Sequence, residues 1–338
     1  TAQLIVDGGV NAQFTAITLN ASALAGNGTS PSGTTGQSGN ARANNVTLTA
    51  MDGSTISSSS FVNLFAVGMG TAGENFGTGT GGNVGVNATA GGTITTANRL
   101  TVQAMGGNSS FAMAQSGGNG VGGNVDFLAD GGTIVAEVYD VNASSSTVNV
   151  TGTGGTALGG TIALLARNGG ELRATLDATN LFNASAASGS SAAGTAATGG
   201  TIQLIANGGR LNLGLGADLS ATGTSGGAVT AGATATGTGG TILIQTAAAA
   251  GSEIDHGSLF ATTDGRTSVE FEVPGGPIDT SGNGLGGAIT LDVQGGTLSG
   301  GVIELSANGF GSGGTANGTG GTATFTQTGG DISISDMS

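Results

Sequence analysis

The chain predicts an all-β fold, a right-handed parallel β-helix (β-solenoid) of about nine repeats of roughly forty residues, and three observations point there. One pattern of short segments recurs from end to end, with corners at Gly8-Gly9, Gly53, Gly91-Gly92, Gly131-Gly132, Gly169-Gly170, Gly208-Gly209, Gly251, Gly295-Gly296 and Gly329-Gly330, 34 to 45 residues apart. Within each segment apolar and polar residues alternate with a period of two, which is strand spacing. Aligned on the corners, the repeats stack apolar residue over apolar residue, as parallel coils require.

Residues 199–221 illustrate the unit. Ile202, Leu204 and Ala206 alternate with mostly polar neighbours in a first strand, and Gly208-Gly209 turns the chain. Leu211 and Leu213 open a second segment, and Leu219 with Ala221 form a third. Down the repeats, one column of the first strand reads Ala2, Val46, Val84, Val125, Ile162, Ile202, Ile242, Ile289, Ala323. The column two residues on is Leu4, Leu48, Val86, Phe127, Leu164, Leu204, Ile244, Leu291, Phe325. A third column is mostly small, as expected where the wall nears a corner: Val6, Ala50, Ala88, Ala129, Ala166, Ala206, Thr246, Val293, Gln327. After the corner the expected column is Val10, Ile56, Ile94, Ile134, Leu172, Leu211, Ile254, Leu298, Ile332.

Each unit closes with a tail rich in Gly, Ser, Thr and Ala, such as residues 106–123, 187–200 and 223–240. Some tails alternate like strands, as Ala228-Val229-Thr230-Ala231 does, whereas Ser30-Pro31-Ser32-Gly33 reads as a loop. The tails therefore leave open whether a repeat is one wide coil or two narrow ones. Residues 1–338 read as a single array that begins and ends inside a repeat, with an irregular insertion at 247–285. Solenoids cover their edges with atypical terminal units, so further coils or identical subunits are expected end to end.

Composition narrows the classes of function. Seventy-one glycines lack the three-residue period of collagen, and aromatic residues at 4% and charged residues at 8% call for a thin interior of stacked aliphatics. Helical repeats conflict with the period of two, and a propeller of this period conflicts with the absence of tryptophan. The six basic residues are all arginines and the net charge is −14, so nucleic acid is excluded as a partner for want of a basic stripe. With no cysteine there are no disulfides or thiolate metal sites. No apolar run approaches the roughly eighteen residues of a membrane span, and Thr1 onward lacks a signal-peptide pattern.

Few residues are candidates for chemistry. Asp7, Asp52, Asp130, Asn168 and Asn207 each precede a corner glycine, where they are expected to cap the turn; of these Asp7, Asp52 and Asp130 are the candidates for calcium, and no other cofactor is implied. Glu253, Asp255, His256, Asp264 and Arg266 lie in the irregular stretch and form the candidate ligand region, with Glu270 and Glu272 read as an outward strand face. Clustered carboxylates on one wall are what a solenoid lyase or hydrolase would use, and the sequence offers no such set. Thr161, Thr201, Thr241 and Thr322 share a column with Asn83 and Asn124, and Thr93, Thr133 and Thr297 share another; interruption by Glu171, Arg210 and Asp331 favours structural ladders over an ice-binding face. Nine Asn-x-Ser/Thr triplets, at Asn20, Asn27, Asn45, Asn87, Asn108, Asn142, Asn149, Asn183 and Asn317, are expected from composition alone.

The phrase GGTI-x-L-x-A-x-GG at residues 199–209, with close variants at 159–170 and 286–296, resembles the glycine-rich repeat exoproteins of Gram-negative bacteria akin to filamentous haemagglutinin. The resemblance spans essentially the whole chain. It implies a right-handed parallel β-helix exported to the cell surface or beyond, serving as an adhesin or surface fibre, as in biofilm matrices, with host-surface or matrix glycans as partners. The functional expectation is thus a structural fibre or adhesin shaft without catalysis; the alternative is a β-helix that binds or degrades polysaccharide.

Overall fold

A computed structural model of the chain describes residues 1–25, 39–70, 77–108, 114–176, 178–227, 233–268, 281–313 and 316–338. Every element among them is a strand, and strand pairs with strand in parallel, so the fold is a β-solenoid. No helix among the described residues is long and apolar enough to cross a membrane.

Each circuit of the chain runs along four faces. The first face is a sheet of nine strands, one from each repeat, from Ala2–Val6 to Thr322–Gln327. Its register joins Thr201 to Thr161 on one side and to Thr241 on the other, so a repeat is one wide coil and not two. The inward columns are those of the sequence: Val46, Val84, Val125, Ile162, Ile202, Ile242 and Ile289 stack with no exposed surface, and Leu204 and Ile244 do so beside them. Burying one such side chain stabilises the fold by about 1.5–3 kcal/mol. In the outermost strand Thr322–Gln327 all six residues, Phe325 included, are exposed.

A left-handed residue turns each corner: Gly91, Gly131, Gly169, Gly208, Gly251 and Gly296 have positive φ, and so do Asp52 and Asn168. Beyond it lies the second face, a fifteen-stranded sheet in which most coils place two strands on either side of a bend, for example Arg210–Asn212 and Gly216–Ser220. The column after the corner differs from expectation at its first member. Ala12, not Val10, pairs with Ile56, and Val10 is exposed. Counting from the preceding inward residue gives six residues in both coils, Val6 to Ala12 and Ala50 to Ile56, whereas alignment on the glycines misplaces Val10.

The tails form the third and fourth faces, two sheets of eight short strands each, running from Ala23–Leu24 to Gly309–Phe310 and from Ala41–Arg42 to Gly318–Thr319. These two sheets meet backbone to backbone. A Cβ added to Gly68, Gly106, Gly223 or Gly265 would overlap the carbonyl oxygen of Thr80, Val121, Thr238 or Leu285 across the slit. That is why small residues dominate the tails. The alternating stretch 228–231 and the loop 30–33 lie outside the described residues.

A line of hydrogen bonds separates the apolar chamber from the slit. In most coils the second glycine of the pair that precedes the first-face strand donates its N–H across the coil to the residue ending the second face, as Gly82 to Ala66, Gly160 to Ala143, Gly200 to Ala184, Gly240 to Ala221 and Gly287 to Thr263 do at 2.7 to 2.8 Å, and Asn44 donates likewise to Ala21 at 3.0 Å. The glycine pair is therefore a waist, not simply a turn.

Candidate functional site

The candidate ligand region, 247–285, continues the ladder. Residues 253–262 make one ten-residue strand paired with 210–212 and 216–220 on one side and 297–306 on the other. Gly265–Ser268 and Ser281–Leu285 extend the third and fourth faces in register. The extra length resides in the corner 247–252, which still turns on left-handed Gly251, and in residues 269–280, which with Glu270 and Glu272 lie outside the described residues. At that corner Gly208 donates its N–H to the Ser252 hydroxyl at 2.8 Å, and that hydroxyl donates to the Ala249 carbonyl at 2.7 Å.

Strand alternation sends the five candidate side chains to three different places. Glu253 and Asp255 point outward and share Arg210 of the preceding coil, at 3.0 and 3.7 Å. Asp255 also accepts from the Ser299 hydroxyl of the next coil at 3.1 Å. His256 points the opposite way, into the chamber, where it is 3% exposed and neither ring nitrogen makes a hydrogen bond. Burial lowers its pKa, and the Gly257 backbone and the Asp255 charge offset only part of that.

Asp264 and Arg266 sit at the junction of the second and third faces. The Asp264 carboxylate is buried yet well paired, accepting from Arg266 at 2.6 Å and from the Ser306 hydroxyl and Asn308 N–H of the next coil at 2.8 Å each. Burial alone would raise its pKa, but these donors and the arginine charge outweigh it and hold the group below the usual carboxylate range. Arg266 lies over the Phe310 ring, 4.9 Å from its centroid. The arrangement clamps two coils together and keeps the carboxylate away from solvent.

The calcium candidates separate in the same way. Asp7 accepts from the Gly8 N–H at 2.6 Å, and Asp52 is itself the left-handed corner residue, both as turn-formers. Asp130 is not a cap: it ends a first-face strand and accepts from Asn168 at 2.6 Å and Arg167 at 2.8 Å on the next coil, which with little opposing burial lowers its pKa. Asn168 takes the corner conformation, whereas Asn207 ends its strand. Among the described residues, no three His, Cys, Asp or Glu side chains converge as metal ligands. The open depressions are shallow; one runs over the corners at Gly169, Gly208 and Gly251 beside Glu171 and Arg210.

No family model, curated protein or solved structure matches this chain.

Several polar roles went unread in the sequence. Asn180 is wholly buried in an apolar column, where it accepts from the Tyr139 N–H at 2.9 Å and donates to the Leu213 and Gly216 carbonyls at 2.8 and 3.0 Å. It satisfies the backbone at the bend of the second face. The Tyr139 hydroxyl does the same for Ile134 and Arg173, and its ring packs edge-on to Phe127. The Asn-x-Ser triplets at Asn20, Asn142 and Asn183 are turns: each side chain accepts from the serine N–H two residues on, at 2.9 to 3.0 Å. The regular offset of that serine was the available signal. Outside, Asn124 donates to Asn83 and Asn83 to Asn45, both at 3.0 Å, in the column expected to be a structural ladder.

Proposed function

We propose that this chain is the shaft of an extracellular or cell-surface fibre of the adhesin kind, and that its work is mechanical and spatial, not chemical. The observation that carries the reading is where the polar side chains go. Arg99 to Asp140, Arg167 to Asp130 and Arg210 to Glu253 each join one coil to the next, as do the asparagine ladder and the Asp264 clamp. Polar groups spent along the axis stiffen a rod; a ligand site would turn them toward a common point. The resemblance of the repeat phrase to bacterial repeat exoproteins supports the cellular setting. The strands 2–6 and 322–327 are the outermost of the nine-stranded sheet, and such edges accept further coils of like sequence, from the same polypeptide or another copy.

Two measurements on the purified chain test this. One copy spans only about 38 Å along the axis, so copies joined end to end at raised concentration should appear in negative stain as straight, thin rods, and an array of bacterial and host polysaccharides should show neither saturable binding nor release of reducing ends. Saturable binding or turnover would replace the shaft with the polysaccharide-directed reading.

A further inference from the structure

His256 is a titratable group that the shaft reading leaves unused, and it stands where a structural residue of its column would be aliphatic. On the preceding coil the equivalent position is Leu213, buried; on the following coil it is Gly300, whose bare α-carbon gives the imidazole room. Any Cβ on Gly300 would overlap the ring at Cε1 and Nδ1. The same circuit carries two more interior hydroxyls without partners, Thr246 Oγ1 and Thr263 Oγ1. Thr246 replaces the small apolar residue that its column holds in the preceding coils, Ala206 among them. This one level of the chamber therefore concentrates unsatisfied polar atoms that neighbouring levels replace with aliphatics.

We propose that His256 makes the strand 253–262 an acid-sensitive joint, closed while the imidazole is neutral and opening locally when it takes a proton, with the coils on either side remaining folded. A neutral imidazole leaves both ring nitrogens without a side-chain partner inside the chamber; an imidazolium would also bring a full charge that the Gly257 backbone and the Asp255 carboxylate offset only in part. The charged groups on the elements packed around it all lie on the outer surface. Asp255 and Glu253 on its own strand are engaged by Arg210 of the neighbouring strand. Glu304 on the following strand is exposed, and Asp292 on the first face is held by Gln245 and Gln294.

The direction in pH follows from burial, which lowers the folded-state pKa below that of the unfolded chain. Between the two values the unfolded chain binds more protons, so stability is complete above the ordinary histidine pKa of about 6.5 and declines as pH falls below it. At pH 5.5, about one unit lower, linkage limits the shift in the opening equilibrium to about tenfold.

Because the chain has one histidine, the ring signal in a proton NMR titration is unambiguous. We expect it to titrate below the ordinary value in the folded chain. Amide hydrogen exchange, corrected for its intrinsic pH dependence, should show protection at 253–262 and 297–306 falling by up to about tenfold from about pH 7.4 to 5.5. Protection at 124–130 and 161–167 should not change. Burial also pushes the Asp126 and Asp218 carboxyls upward, so the His256→Leu variant is the control: it should remove the effect. Should that variant fail to fold, His256→Gln serves, neutral at both pH values. An unperturbed titration near the ordinary value with unchanged exchange, a loss of protection spread over all coils, or a loss that persists in the variant would each overturn the proposal.

Discussion

Glycines of this chain answer to two different constraints, and substitution separates them. Gly251 turns a corner at φ +81° with open space around it, so alanine there meets backbone strain alone. Gly237 faces the opposite sheet across the slit, and a methyl group would overlap the Arg266 carbonyl. Gly251→Ala should cost about 1–2 kcal/mol and Gly237→Ala more, about 3 kcal/mol, because two backbones must separate. Chemical denaturation of the two variants checks the order, and equal costs would contradict the close approach. Asn180 makes a second case. Its amide serves one N–H and two carbonyls at the bend, so Asn180→Leu should destabilise by about 3 kcal/mol despite its better hydropathy, by stranding those groups. A neutral outcome in the same assay would mean that water or a shifted bend satisfies them instead.

At the scale of the strand, alternation decides everything. Leu204 is buried while Gln203 beside it is partly exposed on the outer surface. Leu204→Asp should therefore cost about 4 kcal/mol or more, and Gln203→Asp less than about 1 kcal/mol. Thermal melts of both variants test that contrast, and similar shifts would show that this strand has no single inner face. The first-face columns were legible because residues two apart keep facing the same way in every repeat. The corner from Val6 to Ala12 was less legible because glycine identity, not residue count, guided the alignment. The cluster from Glu253 to Arg266 looked like a site for a related reason. Proximity in sequence joins side chains that strand alternation then sends in opposite directions, as it does Asp255 and His256. The tails resisted reading most, since glycine marks both a loop and the closest possible packing of two sheets. Nothing local distinguishes the two.

For the whole molecule the consequence is modularity. Each coil touches its two neighbours, so stability adds coil by coil and one coil can be removed between register-matched residues. Asn83 pairs with Asn124, and deletion of residues 83–123 joins Gly82 to Asn124 with threonine still stacked on threonine, Thr55 under Thr133. The shortened chain should fold, keep its parallel-sheet circular dichroism and lose about 4.8 Å of length. Removing a single residue more, 83–124, joins Gly82 to Val125 and moves that strand by one position, which turns the buried Val125 and Phe127 outward. That second variant should melt well below the first or aggregate. Equal stability of the two deletions would mean that register between coils is not enforced by the inner face.

The central claim, one coil per repeat in continuous parallel register, reduces to distances along a single outward file of the first face. Gln3, Thr47, Gly85, Asp126, Ala163, Gln203, Leu243, Thr290 and Thr324 follow one another there, one strand apart. The chain has no cysteine of its own, so pairs of spin labels can be placed by substitution at Thr47 with Gln203 and at Gln3 with Thr324. Pulsed dipolar spectroscopy should give about 19 Å across the four strand spacings of the first pair and about 38 Å across the eight of the second, within the reach of the label. Distances about twice these would mean two coils to a repeat, and distances that do not grow with the number of repeats would contradict the solenoid itself.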